Sequence, residues 1–354
     1  MNATKYVAMD VHKSTTVISV INSDGHFEAQ SVLKTSPQSI SDFIKALSGT
    51  IHLTFEEGTH AQWLSELLRP LVAQLLVCNP RLSSWSKTSN KNDKLDSLKM
   101  ASDLRAGLLK GVYHGPAISQ TLKQLVHNYE AITSDTTRVM NRIKALYRSR
   151  AIDCSGRDVY YQRNRCQWLD KLKEPGLRMR AEFLFNQLDH LRPLRREACK
   201  AMIKEARRNS AFKPLCKIVG LGPVRVAQII AAVETPFRFR SKRQFWTYCG
   251  FSVVTRSSSD YEIVGNRLLR KQKRVQTRGL NPNYNRRLKN VFKAAALEAL
   301  KDETVSKIYR GLIERGTKPE MARLTIARKL AAVTLAIYKS REEYDGSKLT
   351  KELT

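Results

Sequence analysis

Asp10 stands at the end of a short apolar run, Val7-Ala8-Met9-Asp10-Val11. An ionised carboxylate placed after apolar strand residues costs free energy unless something pairs with it, and a metal ion is one such partner. Glu56 and Glu57 follow a second apolar run in Thr54-Phe55-Glu56-Glu57-Gly58. Strand alternation directs only one of these two toward the side of Asp10. Asp93 and Asp96 lie three apart where a helix is expected to start, so both project from one helical face. Taken singly, Asp93 reads most simply as an N-cap, and Asp96 as favourable to the helix dipole. Taken together, the four acids suit a hard cation. Mg²⁺ wants oxygen ligands and keeps water, so two or three carboxylates plus a substrate phosphate satisfy it. Two such ions about 4 Å apart can activate an attacking oxygen and stabilise a leaving one. Asp103 shares the helical face of Asp96 but lies about 10 Å further along the axis, too far to join the site.

The elements that must position these acids are legible in the pattern. Lys5–Val11 is a short apolar run, Thr15–Ile21 is β-branched and alternating, Asn22–Gly25 is a turn and His26–Leu33 is a third strand, an antiparallel meander. Pro37 opens a helix to Leu47 with apolar residues at Ile40, Phe43, Ile44 and Leu47. A strand at Ile51–Phe55, a helix at Ala61–Leu71, a strand at Ala73–Cys78 and a helix over Asn90–Lys110 follow. Three strands, a helix and then β-α-β-α is the order of a ribonuclease-H-like (RuvC-like) domain. In that fold the strand ends and the following helix converge on one metal site. We therefore expect α/β architecture over 1–115, a helical or coiled-coil arm over 116–209, and a mostly helical domain over 210–354. The arm rests on amphipathic stretches such as Leu122-Leu125-Val126-Tyr129-Ile132 and Leu169–Ala206. It would pack on itself or on a second protomer, or contact nucleic acid.

Composition limits the partners. Lys and Arg number 62 against 32 Asp and Glu in 354 residues, a formal net charge of +30. Such a charge strains a compact chain unless a polyanion shares its surface. No run of about 18 apolar residues is present, so a spanning helix is not expected. The start, MNATKYVAMDVHK, has no apolar signal core, and the chain reads as cytoplasmic. The six cysteines are scattered with no C-x-x-C pair, which argues against disulfides and structural zinc. Nucleic acid is the expected polyanion.

The last third supplies the other candidates. Val219-Gly220-Leu221-Gly222-Pro223 enters an apolar helix and resembles a helix-hairpin-helix element, whose backbone N–H groups can hold a phosphate. Such turns also precede many ordinary helices. From Gly265 to Asn290 there are nine Lys or Arg and no acid. Gly265, Gly279, Pro282 and several Asn keep the run partly non-helical, which makes it a candidate phosphate-contacting segment. Its candidate contacts are Arg267, Arg270, Lys271, Lys273, Arg274 and Arg278. Helices are expected around Tyr284–Leu300, Thr304–Arg315 and Pro319–Tyr338.

Nearly the whole chain resembles the DEDD-type insertion-sequence transposases, the IS-one-ten family. Met9-Asp10-Val11-His12-Lys13 is similar to the family's first Asp motif, and Phe55-Glu56-Glu57-Gly58 to its Glu motif, with Glu56 the better match. The segment from Asn92 to Ala101 resembles its paired-Asp helix and is the most specific of the three. Val219–Pro223, the segment Arg238–Phe245 and Tyr248-Cys249-Gly250-Phe251 resemble the opening of the family's second domain. The resemblance implies a catalytic serine shortly after Gly250. Here Val253-Val254 stands where the family usually has a Pro, and no Gly follows the serine. Spacing favours Ser258, with Ser257 and Ser259 as alternatives.

What the resemblance implies is an RNA-guided DNA recombinase. Asp10, Glu56, Asp93 and Asp96 would hold two Mg²⁺ ions, and Ser258 would attack the scissile phosphate to give a phosphoserine ester. A structured guide RNA encoded by the element would choose the DNA sites, and domains of different protomers in a dimer or tetramer would compose one site. The absence of a G-x-x-x-x-G-K-[ST] loop agrees with strand exchange that needs no ATP. Two rivals differ in their consequences. A metal-dependent nuclease or junction resolvase of the same fold would use water and no serine. A non-catalytic nucleic-acid-binding protein would tolerate loss of Asp10 or Asp93. A sugar-kinase-like fold also begins with a strand-end Asp, but it requires glycine-rich phosphate loops that are not found and leaves the charge unexplained.

Overall fold

The computed structural model describes residues 3–79, 92–115, 120–256, 261–265, 267–270 and 276–346. The chain divides into two compact units, Met1–Ala117 and Ile118–Thr354.

The first unit is built on a five-stranded sheet of β1 (Thr4–Val11), β2 (Thr15–Asn22), β3 (Phe27–Lys34), β4 (Thr50–Glu56) and β5 (Gln74–Cys78). Their order is β3-β2-β1-β4-β5. The hairpins pair antiparallel, while β4 joins β1 and β5 joins β4 in parallel, which is the ribonuclease-H-like topology. Helix α1 (Pro37–Ala46) begins where Ser36 caps the Ser39 N–H and Pro37 takes the first turn. Helix α2 (Ala61–Leu68) ends one residue before a 3₁₀ turn containing Pro70, so the helix expected to run to Leu71 is shorter.

Alternation divides the sheet between two layers. Val7, Met9, Leu53, Phe55 and Val77 join Ile40, Ile44, Leu64 and Leu68 in one core. On the other face Ala8, Ile21 and Cys78 pack against Met100 and Ala101 of helix α3 (Asp93–Arg105). This helix also ends sooner than the sequence suggests. Gly107 turns with φ +68°, after which Gly111 bridges Cys78 and Val112 N–H donates to the Val77 carbonyl along the open edge of β5. Glycine accepts that backbone at no steric cost.

The second unit starts with an antiparallel pair, α4 (Gln120–Arg148) and α6 (Pro175–Ala206), with α5 (Arg165–Asp170) between them. Their antiparallel sense follows from two cores. Val139, Ile143 and Tyr147 near the end of α4 meet Leu184, Phe185 and Leu188 near the start of α6. Leu122 and Val126 near the start of α4 share a second core with Met202 and Ala206 at the end of α6. The amphipathic stretch expected from Leu169 is broken because Glu174 caps the N–H groups of Gly176 and Leu177 and Pro175 restarts the helix.

That second core is completed by α7 (Phe212–Cys216), α8 (Pro223–Val233), α9 (Lys242–Tyr248), α10 (Arg286–Ala299), α11 (Glu303–Glu314) and α12 (Pro319–Ser340). Between α9 and α10 run β6 (Val253–Arg256) and β9 (Gln276–Leu280), antiparallel to each other. Beyond them β7 (Tyr261–Val264) and β8 (Arg267–Arg270) form a hairpin. Of the basic run, Arg267 and Arg270 thus lie on β8, Arg278 on β9, and Arg286, Arg287 and Lys289 on α10. At the root of these strands Arg328 Nε donates to the Phe251 carbonyl at 2.8 Å, and Trp246 Nε1 donates to the Arg328 carbonyl at 2.8 Å. Among the described residues no helix is long and apolar enough to cross a membrane.

The two glycines of the Gly220-Leu221-Gly222-Pro223 turn are not equivalent. Gly220 has φ +79°, and a Cβ there would lie 2.3 Å from the Ala295 carbonyl oxygen of α10. Gly222 has φ −84° and open space around it. Gly220→Ala should therefore cost about 3 kcal/mol, from left-handed strain and displacement of α10. Gly222→Ala should cost less than about 1 kcal/mol. Urea denaturation of the two variants checks the asymmetry, and equal losses would refute it.

Candidate active site

Register and alternation settle which acids meet. Ala8 faces α3, so Asp10, two residues on, leaves β1 on the same side. Phe55 faces the opposite core, which turns Glu56 toward the α3 layer, and Glu56 pairs in register with Cys78 of that layer. The alternative, Glu57, is engaged elsewhere: its Oε2 is bound to Nε2 of His114. Glu56 is thus the acid on the Asp10 side.

Helix α3 brings the remaining pair. The N-cap expected of Asp93 is supplied instead by Asn92, whose Oδ1 accepts from Lys94 N–H at 3.2 Å. That frees the Asp93 carboxylate, whose Oδ2 lies 3.2 Å from His12 Nε2. Asp96 sits in the same first turn, three residues on. The start of α3 is fastened to the sheet by polar groups. Buried Ser19 of β2 and Ser97 of α3 share a 2.7 Å hydroxyl hydrogen bond. Gln30 of β3 donates both to Ser19 Oγ at 2.8 Å and to the Lys94 carbonyl at 2.9 Å. A network of this kind, anchored on a buried hydroxyl pair, favours one arrangement of the elements that make it.

His12 completes the cluster. Its Nε2 is 3.4 Å from Asp10 Oδ2 as well as 3.2 Å from Asp93 Oδ2. One donor atom from each of Asp10, His12 and Asp93 lies within 4.8 Å of the others. His12 follows Asp10 by two residues, so the alternation that placed Asp10 places His12 too. That spacing was the available signal, and reading the acids alone passes over it.

The electrostatics are those of crowded carboxylates. Burial raises the Asp10 pKa, the neighbouring His12 opposes that, and Asp93 and Asp96 add to it by like-charge repulsion. Burial also raises Glu56, followed by the charges of Asp10 and Asp96. The Cys78 thiol, beneath the cluster, is pushed up to about 11 by burial and then by Glu56. Asp10 thus feels Asp93 and Asp96 as like charges, and Glu56 feels Asp10 and Asp96. A divalent cation relieves both repulsion and desolvation. The donor set fits one: it is rich in carboxylate oxygen, half-buried at Asp10 and open to water at Asp93, whose side chain is 56 % exposed.

The other candidates belong to the second unit. Ser257, Ser258 and Ser259, and with them Lys271, Lys273 and Arg274, lie outside the described residues. Arg267 is exposed at the start of β8, Arg270 ends that strand, and Arg278 lies on β9. The turn before α8 opens on a cavity of about 690 Å³ whose lining includes Arg138, Arg225, Thr133 and Ser134.

Comparison with known families gives two matches. Residues 7–149, which contain all four acids, match a family of DEDD-type IS110 transposases. Residues 213–310, which contain the serines and the basic strands, match the transposase family IS116/IS110/IS902. No curated protein matches the chain.

Two outcomes follow from the site's construction. A carboxyl group whose pKa is raised on folding binds protons more tightly in the folded chain. Stability therefore falls as pH rises out of the usual carboxylate range, and the penalty is complete above the raised value. Metal-free Asp10→Asn should accordingly melt higher than wild type at neutral pH, with the gap closing as the solution is acidified and reversing when Mg²⁺ is added. Calorimetry across pH decides this, and an Asn variant that melts lower at neutral pH without metal would contradict it. Ser19→Ala should cost about 1–2 kcal/mol of stability and raise the Mg²⁺ concentration needed for half-maximal cleavage. An unchanged metal requirement would separate the clasp from the site.

Proposed function

Because the chain belongs to the IS110-type DEDD transposases, and so acts in cutting and rejoining DNA, we propose that it does so through a metal-dependent serine mechanism. In this reading Asp10, Glu56, Asp93 and Asp96 would hold Mg²⁺ as a two-ion centre. The observation that supports it most is Asp10 of β1 and Asp93 of α3 grouped within 4.8 Å, with Asp96 in the same helical turn and Glu56 on the same side of the sheet. Ions held there supply polarisation of the scissile phosphate and stabilisation of the departing oxygen.

Ser258 is the proposed nucleophile, with Ser257 and Ser259 as its neighbours. Its Oγ–P bond forms as the P–O bond to the departing DNA strand breaks. The hydroxyl proton is lost from Oγ and the leaving DNA oxygen takes one up. The product is a phosphoserine ester that keeps the phosphodiester energy, so rejoining needs no ATP. A serine at its ordinary pKa is a weak nucleophile, and a metal or base must assist it.

Arg267, Arg270, Lys271, Lys273, Arg274 and Arg278 are proposed to contact phosphates. Their placement on β8, on β9 and in the stretch between supports this, as does the net charge of +30. A structured guide RNA is proposed to select the DNA sites by base pairing, the protein holding its backbone. The active species is proposed to be a dimer or tetramer.

The test uses full-length protein, Mg²⁺, RNA transcribed from the element's non-coding flank and end-labelled DNA spanning the element junction. On a denaturing gel wild type should give a protease-sensitive protein–DNA band. Asp10→Ala should reduce it on the order of 10³-fold, the several kcal/mol that metal catalysis supplies. Ser258→Ala should abolish it. Free cleaved ends persisting in Ser258→Ala would identify a water-using nuclease, and a band persisting there would shift the assignment to Ser257 or Ser259.

A further inference from the structure

The four-acid reading leaves His12 without a role, although it occupies the middle of the cluster. Its position is imposed, not incidental. The His12 N–H donates to the Thr15 carbonyl at 2.9 Å, and the His12 carbonyl accepts from Thr35 Oγ1 at 3.0 Å, so its backbone is held on both sides in the turn between β1 and β2. The ring then reaches two carboxylates from different elements, Asp10 on the strand and Asp93 on the helix.

The spacing is that of donors around one ion. Ligands at about 2.0–2.3 Å from a metal lie at most about 4.6 Å from each other. His12 Nε2 lies 3.4 Å from Asp10 Oδ2 and 3.2 Å from Asp93 Oδ2, both inside that limit, and one donor atom from each of the three residues lies within 4.8 Å of the others. Their chemistry is mixed, two carboxylates and one imidazole. Carboxylates suit Mg²⁺ and Mn²⁺ alike, whereas Mg²⁺, a hard ion that holds oxygen ligands and water, takes an imidazole nitrogen less readily than the first-row ion Mn²⁺ does.

We propose that His12 is an additional metal ligand, and that the position between Asp10, His12 and Asp93 therefore takes Mn²⁺ in preference to Mg²⁺. The inference rests on the carboxylate centre proposed above and specifies which ion its exposed position selects.

The experiment is electron spin-echo spectroscopy of Mn²⁺ bound to the full-length protein, with Mn²⁺ and Mg²⁺ affinities measured by titration calorimetry, for wild type, His12→Ala, His12→Gln and Asp10→Asn. His12 is nearly half exposed, and thermal melting confirms that its variants fold. Wild type should show nitrogen modulation from a coordinated imidazole and should bind Mn²⁺ more tightly than Mg²⁺. His12→Ala and His12→Gln should lose the modulation and about tenfold or more of Mn²⁺ affinity while changing Mg²⁺ affinity little. Absence of nitrogen modulation in wild type, or its persistence in both His12 variants, overturns the assignment and leaves the carboxylate centre standing. Failure of wild type to bind either ion, or binding unaffected in Asp10→Asn, overturns the carboxylate centre and His12 with it.

Discussion

Carboxylates crowded at one end of a sheet repel, and each that is half-buried also forgoes hydration. Asp10 and Glu56 both carry this penalty, and each feels the charge of Asp96. The first unit is arranged to withstand it. Apolar contacts of Met100 and Ala101 with Ala8, Ile21 and Cys78 hold α3 on the sheet. The Ser19–Ser97 hydroxyl pair and the Gln30 clasp fix its start, where the repulsion acts. Packing and buried hydrogen bonds thus stabilise a disposition that charge alone would disperse. Strain retained in this way is common where a site must be ready for a ligand that neutralises it.

Several smaller choices serve the same end. Asn92 takes the capping role, so Asp93 is not spent on backbone N–H groups. His114 engages Glu57, so two adjacent acids at the end of β4 do not compete for one direction. The chain after α3 turns back at Gly107 to cover the edge of β5, which protects a strand that would otherwise present unpaired backbone. The long α4–α6 pair carries its own core near the middle of the chain and shares another with the C-terminal helices. The helical parts of the second unit thus have apolar burial to support them, which a +30 chain needs when its charges repel.

Much of this was legible in the order of residues. The meander, the βαβ order and the strand-end positions of Asp10 and Glu56 follow from period-two alternation and turn chemistry. The three closing helices likewise follow from apolar periodicity, and the structure has them at Arg286–Ala299, Glu303–Glu314 and Pro319–Ser340. Boundaries were less legible where a single Pro or Gly ended an element early, as at Pro70, Pro175 and Gly107.

What the sequence by itself determined is the set of parts: four acids at predictable ends of predictable elements, a basic segment, and a charge that demands a polyanion. Period-two and period-3.6 patterns are local, and local patterns can be read from a string. The tertiary structure alone decided which of Glu56 and Glu57 faces Asp10, that Asn92 and not Asp93 caps α3, and that His12 sits between two carboxylates 83 positions apart in the chain. It also decided that Gly220 is required by the close approach of α10 while Gly222 is not. These depend on register across parallel strands and on where a helix is set down on a sheet. Both are fixed by contacts between residues far apart in sequence, which no local periodicity records.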